Sequence, residues 1–347
     1  MKDAIMDATT ARAESEASLA PAMLQLMGGA QVTQAISVMA RLDIAGMLRE
    51  GPLFPDEISR RCDANLSALL RLLRALATID LVREDASGRF SATALGDLLR
   101  DDHPQSLRAP AIGVGDRFTW DAWGDLYGSI TTGECAFERV NGMSSFAWMA
   151  SRPELFQVFH DTMTTFSRND LPAILETYDF TSSRLIVDVA GGQGALLRGI
   201  LSRYPDAHGI LFELPNVIGD PRQIEGTPES DRCIYVGGDM FESVPFGGDT
   251  YLFKLILHDW DDARCLQLLR NCRAAIVPGG RILVIDLILQ PPGVPDLGKW
   301  ADLHMMVMCG GKERTREEFA ALFSEAGFEL VAVHVAGATA IIEGRPV

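Results

Sequence analysis

Between Asp188 and Gly194 the chain reads Asp-Val-Ala-Gly-Gly-Gln-Gly, which takes in the end of the run Leu185 to Val189 and stands straight before a helical pattern from Ala195 to Ser202. A strand that turns on glycines into a helix is the opening unit of a parallel α/β sheet, because glycine lets the backbone bend sharply and approach a ligand closely. The next apolar run ends in Glu213, 19 residues beyond Gly194 (213 − 194). That is about the separation at which an acid meets a ribose hydroxyl, so the pattern indicates a nucleoside-containing cofactor. NAD enzymes share this arrangement, and a structural tight turn also explains the glycines, so the turn alone does not choose between them.

Beyond Arg184, short β-branched runs alternate with helical segments: Leu185 to Val189, Gly209 to Glu213, Cys233 to Val236, Thr250 to Leu255 and Arg281 to Leu287. This order predicts a largely parallel sheet. Thr315 to Glu318 matches a capping box, and runs at Leu330 to Val333 and Ala338 to Ile342 flank Ala336-Gly337, which predicts a terminal hairpin.

Earlier in the chain, apolar residues from Leu24 to Leu48 recur at helical spacing with a break near Gly28-Gly29. Pro55 begins a second helical pattern, and Asn65 precedes a third with Leu66, Leu69, Leu70, Leu73 and Leu76 on one face. Leu81 to Arg83 and Arg89 to Ser91 then flank Asp85-Ala86-Ser87-Gly88 as a small hairpin, the wing of a winged helix. DNA binding is disfavoured twice over. The third helix offers only Arg71 and Arg74 as bases, and 31 Lys and Arg against 47 Asp and Glu give a formal charge of −16 that repels phosphates.

The first twenty residues carry four acids and no apolar core of signal-peptide length, so they are expected to be frayed and not to direct export, with the cytoplasm as the default location. Six cysteines without CxxC pairs read as reduced thiols, and neither they nor any compact His/Cys/carboxylate cluster predicts a metal site. No apolar run is long enough to predict a membrane span. Between Ala111 and Tyr178 the chain is rich in aromatic residues, including Trp120, Trp123, Phe156 and Phe159, which suits ordinary core or the lining of an apolar ligand pocket.

Five blocks in order resolve the cofactor question: Asp188 to Gly194, Phe212-Glu213-Leu214-Pro215, Gly237-Gly238-Asp239-Met240-Phe241, Lys254 with His258-Asp259-Trp260, and Gly310-Gly311-Lys312-Glu313-Arg314-Thr315. Together they closely resemble the S-adenosylmethionine-dependent small-molecule O-methyltransferases, the family of the plant caffeic acid enzymes and of bacterial antibiotic-tailoring enzymes. The resemblance spans nearly the whole chain. It implies an α/β protein, a Rossmann-like methyltransferase domain at residues 181–347, preceded by an all-helical winged-helix dimerisation domain at 1–105 and a helical linker lining the acceptor pocket at 106–180. A homodimer is implied, without nucleic acid, membrane or metal. Asp188, Gly191, Gly192, Glu213, Asp239, Met240, Lys254 and Ser167 are implied contacts to S-adenosylmethionine, which would leave as S-adenosylhomocysteine. Ala190 departs from the pattern, standing where the plant enzymes usually have glycine, and Glu213 stands where many relatives have Asp.

Methyl transfer to a hydroxyl needs acceptor, methyl and sulfur in line and a base for the proton, since a phenol of pKa about 10 is scarcely ionised at neutral pH. His258 lies just past the carboxyl end of the fourth run, the sheet edge where ligands bind, and Asp286 and Glu313 can reach the same edge. The resemblance makes His258 the base and the two acids its orienting groups, whereas Asp261 and Asp262 read as acids in the first turn of the next helix. The acceptor is expected to be a small aromatic, phenolic or polyketide-like molecule held by Met163, Phe159, Trp120, His304 and Met308, with Trp123, Phe156 and Met305 nearby. N-methylation, and hydroxylation, decarboxylation or cyclisation on the same fold, are the alternatives.

Overall fold

A computed structural model describes residues 19–218 and 230–347. The expectation of a frayed start therefore falls largely outside the described residues. The chain divides into two compact units, the first ending at Arg117 and the second running from Phe118 to Val347.

In the first unit, helices Leu19–Met27 and Gly29–Arg41 break at Gly28. Pro55 begins the helix Pro55–Arg61, where its missing N–H costs nothing, and the Asn65 side chain caps Leu66–Ala77 by accepting the N–H of Ala68. Leu69, Leu73 and Leu76 bury one face of that helix against Met39, Ile44 and Ile58, but Leu66 is exposed. Strands β1 (Val82–Glu84) and β2 (Phe90–Ala92) pair antiparallel as the wing, so this unit is helical apart from one short hairpin. The Asp85 carboxylate fixes the turn by accepting the N–H groups of Ser87 and Arg89. Helix Leu19–Met27 buries none of its side chains; Leu24, Leu26 and Met27 are each more than 60% exposed.

The second unit begins with four helices of six to eight residues between Arg117 and Ala150, followed by the 25-residue helix Pro153–Thr177. Its sheet contains β3 (Leu185–Val189), β4 (His208–Glu213), β5 (Cys233–Gly237), β6 (Thr250–Lys254), β7 (Arg281–Asp286), β8 (Phe328–Ala336) and β9 (Thr339–Pro346). Their order is β5-β4-β3-β6-β7-β9-β8, with the first five parallel and the last two joined as the antiparallel hairpin expected. Successive residues of β3 supply opposite faces of the sheet. Ile186 packs with Ile174, Leu197 and Ile200, whereas Val187 and Val189 pack with Leu268, Leu269 and Phe323. The order reverses between β3 and β6, so the carboxyl ends of those strands open on the crevice where α/β sheets bind ligands.

Candidate active site

The turn after β3 holds three residues in the left-handed region, Ala190 (φ 55°), Gly192 (φ 58°) and Gly194 (φ 74°). Glycine adopts this conformation freely, but a Cβ makes it cost about 1 kcal/mol at Ala190. The Ala190 N–H donates to the Phe212 carbonyl (2.7 Å), which holds the strained residue against β4. Gly191 has no room for a side chain, since a Cβ there would stand 2.5 Å from the Asp188 carboxylate, and Gly192 faces open space.

Glu213 closes this cradle. One carboxylate oxygen accepts the N–H of Gly192 at 3.0 Å, and the other accepts that of Leu214 at 2.7 Å. Burial pushes its carboxyl up. Asp188 is buried with Oδ2 unpartnered, and burial, aided by the charge of Glu213, raises its pKa to about 7. Next along, the Gly238 N–H donates to the Glu213 carbonyl, Asp239 accepts the N–H of Phe241, and Asn271 donates to the Met240 carbonyl. The glycine cradle, the orphaned Asp188 oxygen and the Glu213 carboxylate suit a nucleoside carrying an amino-acid tail.

Lys254 ends β6, and its Nζ lies 2.9 Å from Asp170 Oδ2 on the helix Pro153–Thr177, an ion pair not angled as a hydrogen bond. Phe159, Met163, Ser167 and Asp170 are spaced by four, four and three residues, so they share one face of that helix. The pair thus turns the stripe carrying Met163 and Ser167 toward the end of β6.

His258 sits in the short turn Leu257–Asp259 just beyond that strand. Its Nδ1 is 2.7 Å from Glu313 Oε1, and its Nε2 is 3.7 Å from Asp259 Oδ1. Asp286 ends β7 fully buried with both oxygens unpartnered, so it acts on His258 by its charge and makes no hydrogen bond to it. Burial alone would lower the pKa of His258, but the Glu313 hydrogen bond and the charges of Asp259, Asp286 and Glu313 overcome it and raise the value to about 9. Asp286, buried among those acids, is itself raised to about 7.

Backbone geometry fixes this nest. Buried Arg314 donates to the carbonyls of Leu257 (2.8 Å) and Trp260 (2.9 Å) and to Asp262 (2.8 Å). Asp262 is therefore the anchor of a buried arginine as well as a first-turn acid, while Asp261 caps its helix. A Cβ at Gly311 would lie 2.0 Å from the His258 carbonyl, so only glycine lets the two loops meet. Asp302 accepts the N–H of Glu313 at 2.9 Å.

The other wall is apolar. His304, on helix Gly298–Met308, accepts a hydrogen bond at Nδ1 from Trp123 Nε1 (2.9 Å). Met308 is buried with Phe137 and Ala122, and Trp123 and Trp148 pack on that cluster. Trp120 is 38% exposed. Of the two tryptophans, Trp123 is the one brought to His304. Asp170, Asp259, Asp302 and Arg314 carry no role assigned from the sequence. Asp259 and Arg314 stand inside two of the five blocks, whereas Asp170 and Asp302 lie outside them. Among the described residues, no group of three or more His, Cys, Asp or Glu is placed to hold a metal ion, no helix is long and apolar enough to cross a membrane, and the six cysteines are unpaired.

Residues 123–329 match the O-methyltransferase domain, and residues 24–102 match the O-methyltransferase dimerisation domain. Phenazine O-methyltransferase of Lysobacter antibioticus is 39% identical over 331 residues, 95% of this chain and 97% of that one. The solved structure of LaPhzM, 39% identical, superposes with a TM-score of 0.91 over 95% of this chain and 99% of its own. NcsB1, an O-methyltransferase from neocarzinostatin biosynthesis solved with S-adenosylmethionine and 2-hydroxy-5-methyl naphthoic acid, is 31% identical with a TM-score of 0.79 over 91% of this chain and 96% of its own. The chain belongs to the S-adenosylmethionine-dependent O-methyltransferase family. Its dimerisation domain makes it a homodimer.

Proposed function

We propose that the enzyme methylates a hydroxyl of a flat aromatic natural product, with His258 as the base that takes the hydroxyl proton. The observation that carries this is the hydrogen bond from His258 to buried Glu313, which occupies Nδ1 and leaves Nε2 to meet the acceptor. The relatives' phenazine and naphthoic acid substrates support a fused ring system as acceptor.

S-adenosylmethionine supplies an electrophilic methyl group on a sulfonium. The Gly191 and Gly192 backbone and Asp188 would hold its amino-acid end, Glu213 the ribose and Asp239 with Met240 the adenine, while Lys254 and Ser167 would border the sulfur. Phe159, Met163, Trp120, His304 and Met308 would hold the acceptor. His258 Nε2 takes the proton as the acceptor oxygen attacks, and the resulting imidazolium is stabilised by Glu313 directly and by Asp286 through its charge. Six free cysteines suit a reducing compartment, and we place the enzyme in the cytoplasm.

The test is formation of S-adenosylhomocysteine across a panel of phenolic and fused-ring acceptors, with wild type beside His258→Ala. Turnover that falls about a hundredfold or more in the variant supports the assignment. Turnover that the substitution leaves intact removes His258 from the role and points to an acceptor needing no deprotonation.

A further inference from the structure

An indole ring has a single hydrogen-bonding group, Nε1–H, and it can only donate. Trp123 aims that donor at Nδ1 of His304 from 2.9 Å, so Nδ1 bears a lone pair and the proton of the neutral ring sits on Nε2. The rings also stack, with centroids 6.0 Å apart and planes 23° from parallel, which sets the direction of Nε2. Among the described residues no protein group pairs with that atom, and it is not one of the sealed, unpartnered atoms of the interior. Burial, joined by the charge of His258, lowers the pKa of His304 to about 4, so the ring stays uncharged at neutral pH. The site thus presents one oriented, neutral donor that no protein group among the described residues satisfies.

We propose that His304 Nε2–H reads an uncharged carbonyl oxygen next to the reacting hydroxyl, so that the acceptors are hydroxyaryl carbonyl compounds and not simple phenols. This rests on the function proposed above. Adjacency follows from packing: helix Gly298–Met308 lies against the turn Leu257–Asp259, and the charge of His258 reaches the His304 ring. The preference for an uncharged group follows from Asp259, Asp286 and Glu313, which already concentrate negative charge beside His258 and repel an acceptor carboxylate.

Three probes share one ring and hydroxyl: 2-naphthol, methyl 3-hydroxy-2-naphthoate and 3-hydroxy-2-naphthoate. Their affinities for the S-adenosylhomocysteine complex are measured by calorimetry in wild type, Trp123→Phe and His304→Phe, with S-adenosylhomocysteine binding as the control for a folded site. We expect wild type to prefer the ester over 2-naphthol by about tenfold, the effect of one hydrogen bond, and His304→Phe to erase that preference. Trp123→Phe, which keeps the stack and removes the donor, should reduce it in part. An ester preference that survives in His304→Phe, no preference in wild type, or tighter binding of the free acid than of the ester overturns the proposal. Loss of S-adenosylhomocysteine binding by wild type would instead defeat the underlying function, and the proposal with it.

Discussion

Two histidines share this site and are driven in opposite directions. His258 and His304 are both removed from water, and burial pushes each toward the neutral form. At His258 a hydrogen bond donated to buried Glu313 and the charges of Asp259 and Asp286 overcome that push, and the ring holds its proton to about pH 9. At His304 burial is the main cause and the neighbouring imidazolium adds a repulsion, so the ring is neutral above about pH 4, and its Nδ1 accepts the indole N–H of Trp123. Burial sets the charge of His304, whereas at His258 the carboxylates around the ring overrule it. One wall of the pocket handles protons, and the other offers a donor that never changes.

The sharpest way to break this contrast is to remove the proton-handling ring. His258→Ala should lower kcat by about 10²–10⁴-fold while S-adenosylhomocysteine still binds, as read by steady-state kinetics and calorimetry. Next is the frame beneath it. Arg314→Lys keeps the charge but loses the fork that spans two carbonyls and Asp262, and should cost about 2–3 kcal/mol of stability in denaturant titration. Asp286→Asn acts on the charge alone. Because His258 is a base only when deprotonated, kcat/KM for the methyl donor should rise with pH toward about 9. Removing a nearby negative charge should shift that rise down by about one unit. The smallest effect is expected from Trp123→Phe, about 1 kcal/mol for one lost hydrogen bond. NMR of wild type should show the His304 ring unprotonated from pH 6 to 8 and His258 protonated at pH 7. A His304 resonance that titrates near pH 6.5 would remove the distinction between the walls.

Much of this arrangement was legible in the chain, though not by one route. The strands, the terminal hairpin and the Thr315 capping box follow from local spacing, because each depends on neighbours a few residues away. The pairing of His258 with Glu313 spans 55 residues and came only through the five-block resemblance. Asp170 lies outside those blocks, and nothing in its surroundings along the chain points to Lys254, 84 residues away (254 − 170). Asp262 looked like a residue for a helix dipole because the local pattern fits that role, and its second role appears only when Arg314 is folded against it. Trp120 and Trp123 are both aromatic residues of one short helix, and composition cannot tell which one turns toward His304.

The position of β9 between β7 and β8 has a consequence for how the protein is made. On a ribosome, the segments emerge in chain order, so β7 and β8 are both exposed before the strand that joins them exists. Until Thr339–Pro346 is available, β7, which ends in Asp286, has one edge bare, and β8 has no partner in the sheet at all. Bare strand edges are templates for pairing with other chains. The vulnerable interval in the life of this enzyme is therefore the one in which the catalytic strands are formed and the strand that seals them is still inside the exit tunnel.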